Sequence, residues 1–236
     1  MSGRRTYGSY DDGCAAAHAL DVIGERWSMS IIRELLLGPK RFSDLQRDVS
    51  GVGPTTLTRR LDSLARSGVL HRAPSKGGTG SHVYELSDWG YQLEEVNAAL
   101  AAWGARSESL PLDAGMSPDT IVLAMRAHAR AHSGAVEAHK VLLRVSDTRS
   151  PGSPASTYLA SLAPEELSLT RTREADPDGY DATITCTAAA LKEVIVAGAP
   201  WDRADTFSVD GDRTAVDRLI AATRLSACQA PPVRVH

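Results

Sequence analysis

The run Gly53-Pro54-Thr55-Thr56-Leu57-Thr58-Arg59-Arg60-Leu61-Asp62-Ser63-Leu64-Ala65-Arg66 narrows the fold more than any other part of the 236-residue chain. Proline suits the first position of a helix, where its missing N–H has no intrahelical acceptor, and Gly53 is an acceptable cap before it. At about 100° per residue, Leu57, Leu61 and Leu64 fall within about 60° of one another, while Thr55, Arg59, Asp62 and Arg66 lie on the far side. One face is core, and the other is available to a partner.

The preceding segment, Phe42-Ser43-Asp44-Leu45-Gln46-Arg47-Asp48-Val49, places Phe42, Leu45 and Val49 at i, i+3 and i+7, and Ser50-Gly51-Val52-Gly53 follows as a turn. Two helices joined by a tight Gly-containing turn form a helix-turn-helix, whose second helix can enter the major groove of DNA. Beyond Arg66, Ser67-Gly68 ends the helix and Val69–Ala73 reads as a strand. Ser75–Gly80 follows as a Gly-rich loop, and His82–Leu86 alternates as a returning strand. Helix, helix and hairpin together predict a winged helix-turn-helix.

From Cys14 to about Ser107 the chain resembles the HxlR-type family of bacterial winged-helix transcriptional regulators. The resemblance rests on Cys14, Ala19–Gly24, Trp27, Ile32–Leu35, Gly38–Leu45, Leu57–Leu61, Gly68–Leu70, Tyr84–Leu86 and Trp103-Gly104. It implies a homodimer that binds an inverted repeat in double-stranded DNA through paired recognition helices, with the first and last helices of the module forming the dimer contact. Gly53 stands where that family commonly has serine or a similar cap.

Composition and charge fit this reading. Three cysteines, Cys14, Cys186 and Cys228, are too few and too scattered for a disulfide framework or a CxxC metal pair. No segment approaches the roughly 18–20 apolar residues that span a bilayer, and the first twelve residues, read as polar and disordered, lack the apolar core of an export signal. A cytoplasmic protein with no membrane partner is expected. The net charge of −3 hides an uneven distribution. Residues 40–76 hold eight Lys/Arg against three Asp/Glu, whereas residues 107–236 hold 13 basic against 17 acidic side chains. The positive potential lies where DNA would bind.

A first helix is read from Cys14 to Ile23, a second from Trp27 to Leu37, stopped by Gly38-Pro39, and a long one from Asp88 to about Ala105 behind the cap Ser87. Pro111, Gly115 and Pro118 mark a linker. The second half then offers a helix over 118–130, strands at Val141–Val145, Leu167–Thr172 and Ala182–Thr187, a helix over 188–197, and the segment Thr206–Asp210 before the turn Gly211-Asp212 and a closing helix to about Leu225. The expected organisation is α+β: a winged helix-turn-helix domain over 13–107 and a sheet-and-helix domain over 118–228. The second domain also resembles, loosely, the sterol carrier protein 2 fold, through Ala182–Thr187, Leu191–Ile195, Gly198–Trp201 and Val209–Asp212. That resemblance implies a cavity for a small apolar ligand, with Val122, Met125, Leu191, Ile195, Trp201 and Phe207 as candidate lining. Trp201 fits a core plug equally well.

For DNA the candidates are Arg41, Ser43, Thr55, Thr56, Thr58, Arg59, Arg60, Arg66, Lys76 and His82. Arg59 suits a bidentate guanine contact, Arg60 a phosphate, and Lys76 in the wing the backbone or minor groove. Cys14, at a helix N-terminus where peptide dipoles favour thiolate, fits either the oxidant sensor known in several HxlR-type proteins or a packing cysteine at a dimer interface. His128 and His132 are spaced i, i+4, but no Glu completes an HExxH and Gly134 takes His139 out of register, so no metal is assigned. Gly77–Gly80 lack the Lys-Ser/Thr of a phosphate loop, and no cofactor is expected. The function read from these features is a non-enzymatic DNA-binding regulator modulated by a ligand or by thiol oxidation. The rivals are a carrier or enzyme in the second half with an accessory winged helix, and a winged helix turned to protein interaction.

Overall fold

In a computed structural model, which describes residues 9–75, 82–111, 113–129, 138–150, 152–163, 166–172, 179–203 and 206–224, the chain divides into two units, Met1–Asn97 and Ala98–His236. Lys76, the Gly77–Gly80 run, His132 and Cys228 lie outside the described residues.

The first unit contains α1 (Ala15–Ile23), α2 (Ser28–Leu35), α3 (Phe42–Asp48), α4 (Pro54–Arg66), β1 (Leu70–Pro74), β2 (His82–Leu86), α5 (Asp88–Tyr91) and the start of α6 (Leu93–Gly104). Its core is the leucine face read from the sequence: Leu57, Leu61 and Leu64 of α4 are wholly buried with Ile31, Ile32 and Leu35 of α2 and Leu45 of α3. Gly68, at φ +75°, ends α4 in a Schellman arrangement. Gly68 N–H donates to Ala65 O at 3.1 Å and Val69 N–H to Leu64 O at 3.0 Å. β1 and β2 pair antiparallel, from Leu70 opposite Leu86 to Pro74 opposite His82.

Lys40 ties this hairpin to the helices. Its N–H donates to Tyr84 O at 3.1 Å and its O accepts from Tyr84 N–H at 2.8 Å, adding a bridge to β2. Its ammonium is buried between Glu34 Oε2 at 2.8 Å and Asp48 Oδ2 at 2.7 Å. Arg33 reaches the other Glu34 oxygen at 3.2 Å and Arg47 Nε the other Asp48 oxygen at 2.8 Å. Burial by itself would raise the Asp48 pKa, but the Lys40 ammonium and Arg47 outweigh it and hold the carboxyl below its ordinary value.

Two differences from the sequence reading stand out in this unit. Trp27 does not open α2 but precedes it in the left-handed region at φ +80°, a conformation that costs a bulky residue about 1–3 kcal/mol. Its ring lies against Gly51 in the turn before α4, and the Arg26 guanidinium stacks 4.7 Å over it. The long helix expected from Asp88 is interrupted at Gln92, giving α5 and α6. Gly90 sits so close to the chain before β1 that a Cβ would collide with the Val69 carbonyl oxygen, which fixes how α5 packs.

The second unit contains α7 (Pro118–His128), β3 (His139–Ser146), β4 (Ser156–Leu162), β5 (Leu167–Thr172), β6 (Ala182–Thr187), α8 (Ala188–Ile195), a 3-10 turn (Trp201–Arg203), β7 (Phe207–Gly211) and α9 (Arg213–Thr223). The sheet order is β5-β4-β3-β6-β7, with β3 and β6 parallel and the other neighbours antiparallel. Ser117, Thr187 and Asp212 cap α7, α8 and α9 through their side-chain oxygens. Helices beside a mixed sheet give the α+β class expected. The sequence reading lacked β4, whose Ser-Thr-Tyr-Leu-Ala-Ser-Leu composition is weakly strand-like, although Tyr158, Ala160 and Leu162 alternate as its buried side. The fully buried Tyr158 donates to Asp119 Oδ1 at 2.5 Å, and Arg171 reaches Asp119 Oδ2 at 3.1 Å, fastening α7 to β4 and β5. Burial first, and the Asp119 charge next, push the Tyr158 hydroxyl pKa upward.

Candidate nucleic-acid interface

The leucines that close the core turn the opposite side of α4 outward. Pro54, Thr55, Thr58, Arg59, Asp62 and Arg66 line an open groove of about 510 Å³, and Thr55, Thr58, Arg59 and Arg66 are exposed while Thr56 is half-buried. The Thr58 hydroxyl donates to Pro54 O at 3.0 Å, which leaves its oxygen able to accept and its methyl group available for apolar contact. The turn that sets the angle of α4 is held by Gln46, whose Nε2 donates to Val52 O at 2.5 Å, and by Gly51 at φ +88°. Asp62 shares the groove and could accept from a cytosine amino group. It was not among the candidate contacts, although its place one turn from Arg59 puts it on the same face.

The other candidates fall in different places. Arg41, at the start of α3, and Ser43 in its first turn are exposed, and Arg41 N–H donates to Asp44 Oδ2 at 3.3 Å. His82 is exposed at the start of β2. Arg60 corrects the sequence reading: its side chain is 8% exposed and ion-pairs with Glu25 of the α1–α2 connection. A phosphate cannot reach a guanidinium so placed unless the side chain moves. The reason lies in the helical wheel, since Arg60 sits only about 60° from Leu57, on the flank of the leucine stripe.

Cys14 is exposed at the N-cap of α1, and the backbone N–H groups of Ala17 and then Ala16 stabilise its thiolate and lower its pKa. Cys186 of β6 is its opposite, because burial pushes that thiol up to about 12. His128 ends α7 with Nδ1 2.5 Å from Ala124 O, whereas His139 begins β3, so these two histidines do not share a helix face.

In the second unit Val122, Met125, Leu191 and Ile195 have no accessible surface, and Phe207 is buried. A side chain with no accessible surface borders no water-sized void, so the first four are core and not the wall of an open cavity. Trp201 is half-buried, 6.0 Å from Phe207 between ring centres. Arg213 stacks 4.6 Å over its ring, and its Nε1 donates to Asp217 Oδ1 at 2.8 Å. Its polar edge is therefore satisfied within the protein. Among the described residues no helix is long and apolar enough to cross a membrane.

Two of the described helices, α1 and α6, keep large apolar side chains exposed. Neither α1 nor α6 has a buried residue. Leu20, Leu100 and Trp103 are 50%, 49% and 76% exposed. Exposed apolar side chains grouped on helices commonly mark a protein interface.

Residues 22–110 match the family described as HxlR-like helix-turn-helix. An uncharacterized HTH-type transcriptional regulator of Mycobacterium tuberculosis is 35% identical over 104 residues, which are 44% of this chain and 64% of that protein. The chain thus spans less than two thirds of that relative. The regulator YdeP of Bacillus subtilis is 33% identical over 42% of this chain and 79% of its own length. YtcD of the same organism is 37% identical over 36% of this chain and 68% of its own. A solved structure of a regulator YtcD, 35% identical, covers 39% of this chain and 94% of that one with a TM-score of 0.37.

Proposed function

The chain belongs to the HxlR-like helix-turn-helix family, and from that premise we propose that it is a transcriptional regulator that reads DNA as a homodimer, with α4 in the major groove. The observation that carries the reading is the division of α4, whose leucines close the core while Thr55, Thr58, Arg59, Asp62 and Arg66 line one open groove. Arg59 is the candidate for a bidentate guanine contact, worth about 1–3 kcal/mol against the wrong base, and Arg66, Arg41 and Ser43 for phosphates. The uncovered apolar residues of α1 and α6 support pairing with a second copy. Two α4 helices would then meet half-sites about 34 Å apart on an inverted repeat. Control by a small molecule or by oxidation of Cys14 would act by favouring one spacing of the two helices, and could change operator affinity only by its differential affinity for the two states. The exposed, acidified thiol supports the redox form of this control. The closed packing around Val122, Met125, Leu191 and Ile195 gives no support to a carrier or enzyme in the second unit.

The test is selection of genomic fragments by the full-length protein at two salt concentrations, repeated with Arg59→Ala. A palindromic motif that the variant relaxes at one base pair per half-site is expected. Weak, salt-labile binding without any motif would overturn the reading.

A further inference from the structure

Arg60 follows Arg59 directly yet leaves the DNA-facing side of α4, and its environment differs from that of a surface arginine. Its side chain is 8% exposed, its Nε is buried without a hydrogen-bond partner, and its guanidinium meets the carboxylate of Glu25. Glu25 belongs to the short connection Gly24–Trp27 between α1 and α2, a connection held by Ser28 N–H donating to Glu25 O at 3.0 Å. Two residues later, the Trp27 ring lies against Gly51 in the turn that leads into α4. α1 itself packs against α4. One four-residue connection therefore touches the recognition helix at its side and its preceding turn at Gly51.

We propose that Glu25 is a positioning residue for DNA recognition, which fixes the rotation of α4 about its own axis by holding Arg60. The inference rests on the reading of α4 as the DNA-contacting helix. Arg59 and Arg60 share one rigid backbone, so a rotation that releases Arg60 carries Arg59 through the same angle. Helix side chains end about 5–6 Å from the axis, and a rotation of about 10° sweeps them by about 1 Å. That displacement exceeds the whole distance range of a good hydrogen bond, about 2.7–3.2 Å, which a bidentate base contact must meet twice. Phosphate contacts, made by long side chains to a continuous charged backbone, tolerate the same rotation. Loss of Glu25 should thus reduce discrimination between sequences and leave general DNA affinity in place.

The experiment uses the full-length protein and two duplexes of equal length and composition, an operator fragment recovered by genomic selection and its scrambled counterpart. The variants are Glu25→Gln, Arg60→Glu and the double exchange Glu25→Arg with Arg60→Glu, each checked by its melting curve. Glu25→Gln is expected to lower operator affinity about tenfold or more while scrambled-duplex affinity stays within about twofold and the salt slope is unchanged. The double exchange should recover operator affinity lost in Arg60→Glu. Unchanged operator binding by Glu25→Gln, equal losses on both duplexes, or no recovery in the double exchange would each overturn the proposal. Equal losses with a shallower salt slope in Arg60→Glu would make Arg60 a phosphate contact instead. If the wild-type protein does not distinguish the two duplexes, the reading of α4 fails first and this inference with it.

Discussion

Replacing Lys40 by methionine isolates the energetics that hold the first unit together. The variant keeps most of the apolar stem but removes the charge that lies 2.8 Å from Glu34 and 2.7 Å from Asp48, with side-chain exposures of 2%, 0% and 7% respectively. Breaking a buried ion pair from one side costs about 3–5 kcal/mol, because the partner stays buried with its charge uncompensated. Arg33 and Arg47 still reach the outer oxygens of the two carboxylates, so the low end, about 3 kcal/mol, is the expected loss. Hydrogen exchange read on peptides from α2 and α3 confines the measurement to this unit, and about 3 kcal/mol corresponds to a roughly hundredfold rise in the opening constant. The pH dependence supplies a second signature. Asp48 in the wild type is held below its ordinary value of 3.8, so the stability it contributes is complete above that value and disappears as the pH falls through its lower native pKa. In Lys40→Met, Asp48 loses the ammonium that offsets its burial, its carboxyl takes up a proton more readily, and the deficit should shrink on going from pH 8 to pH 5. A loss below about 1 kcal/mol, or one constant across that range, would refute the reasoning.

Two other results follow from single positions. Native protein treated with iodoacetamide should label Cys14 and leave Cys186 unmodified until denaturant is added. The pH midpoint for Cys14 should lie below that of the unfolded chain, and equal labelling of the two cysteines in the native state would contradict the burial and acidity described. Gly90→Ala should destabilise the first unit by about 2 kcal/mol, since the new Cβ would strike the Val69 carbonyl and crowd Leu86. Wild-type exchange rates in β1 and α5 would show that this close approach is not a constraint.

The helix-turn-helix was readable because α4 is strongly periodic and bounded by Pro54 and Gly68, two residues whose backbone preferences act locally. Arg60, at the side of the helix, reads as a phosphate contact from its charge, and only the three-dimensional approach of Glu25, 35 positions earlier, gives the guanidinium its partner. The wheel held the warning, since Arg60 lies nearer the leucines than Arg59 does. β4 escaped for a different reason: its strand character comes from pairing with β3 and β5 on both sides, which Ser156, Ala160 and Ser161 do not signal by propensity.

The parallel pairing of β3 with β6 sets an order of events during synthesis. Val141 pairs with Ala182 and Ser146 with Thr187, with the β4–β5 meander threaded between them. Residues of the first unit leave the ribosome long before β6 exists, so that unit can fold while the second sheet is still missing the strand that joins its two halves. Until β6 emerges, Val141-Leu142-Leu143-Arg144-Val145 has one edge without a partner, and unpaired apolar edges invite pairing between chains. A nascent chain stalled before residue 182, or a message truncated there, would therefore carry a folded first unit attached to an aggregation-prone half-sheet.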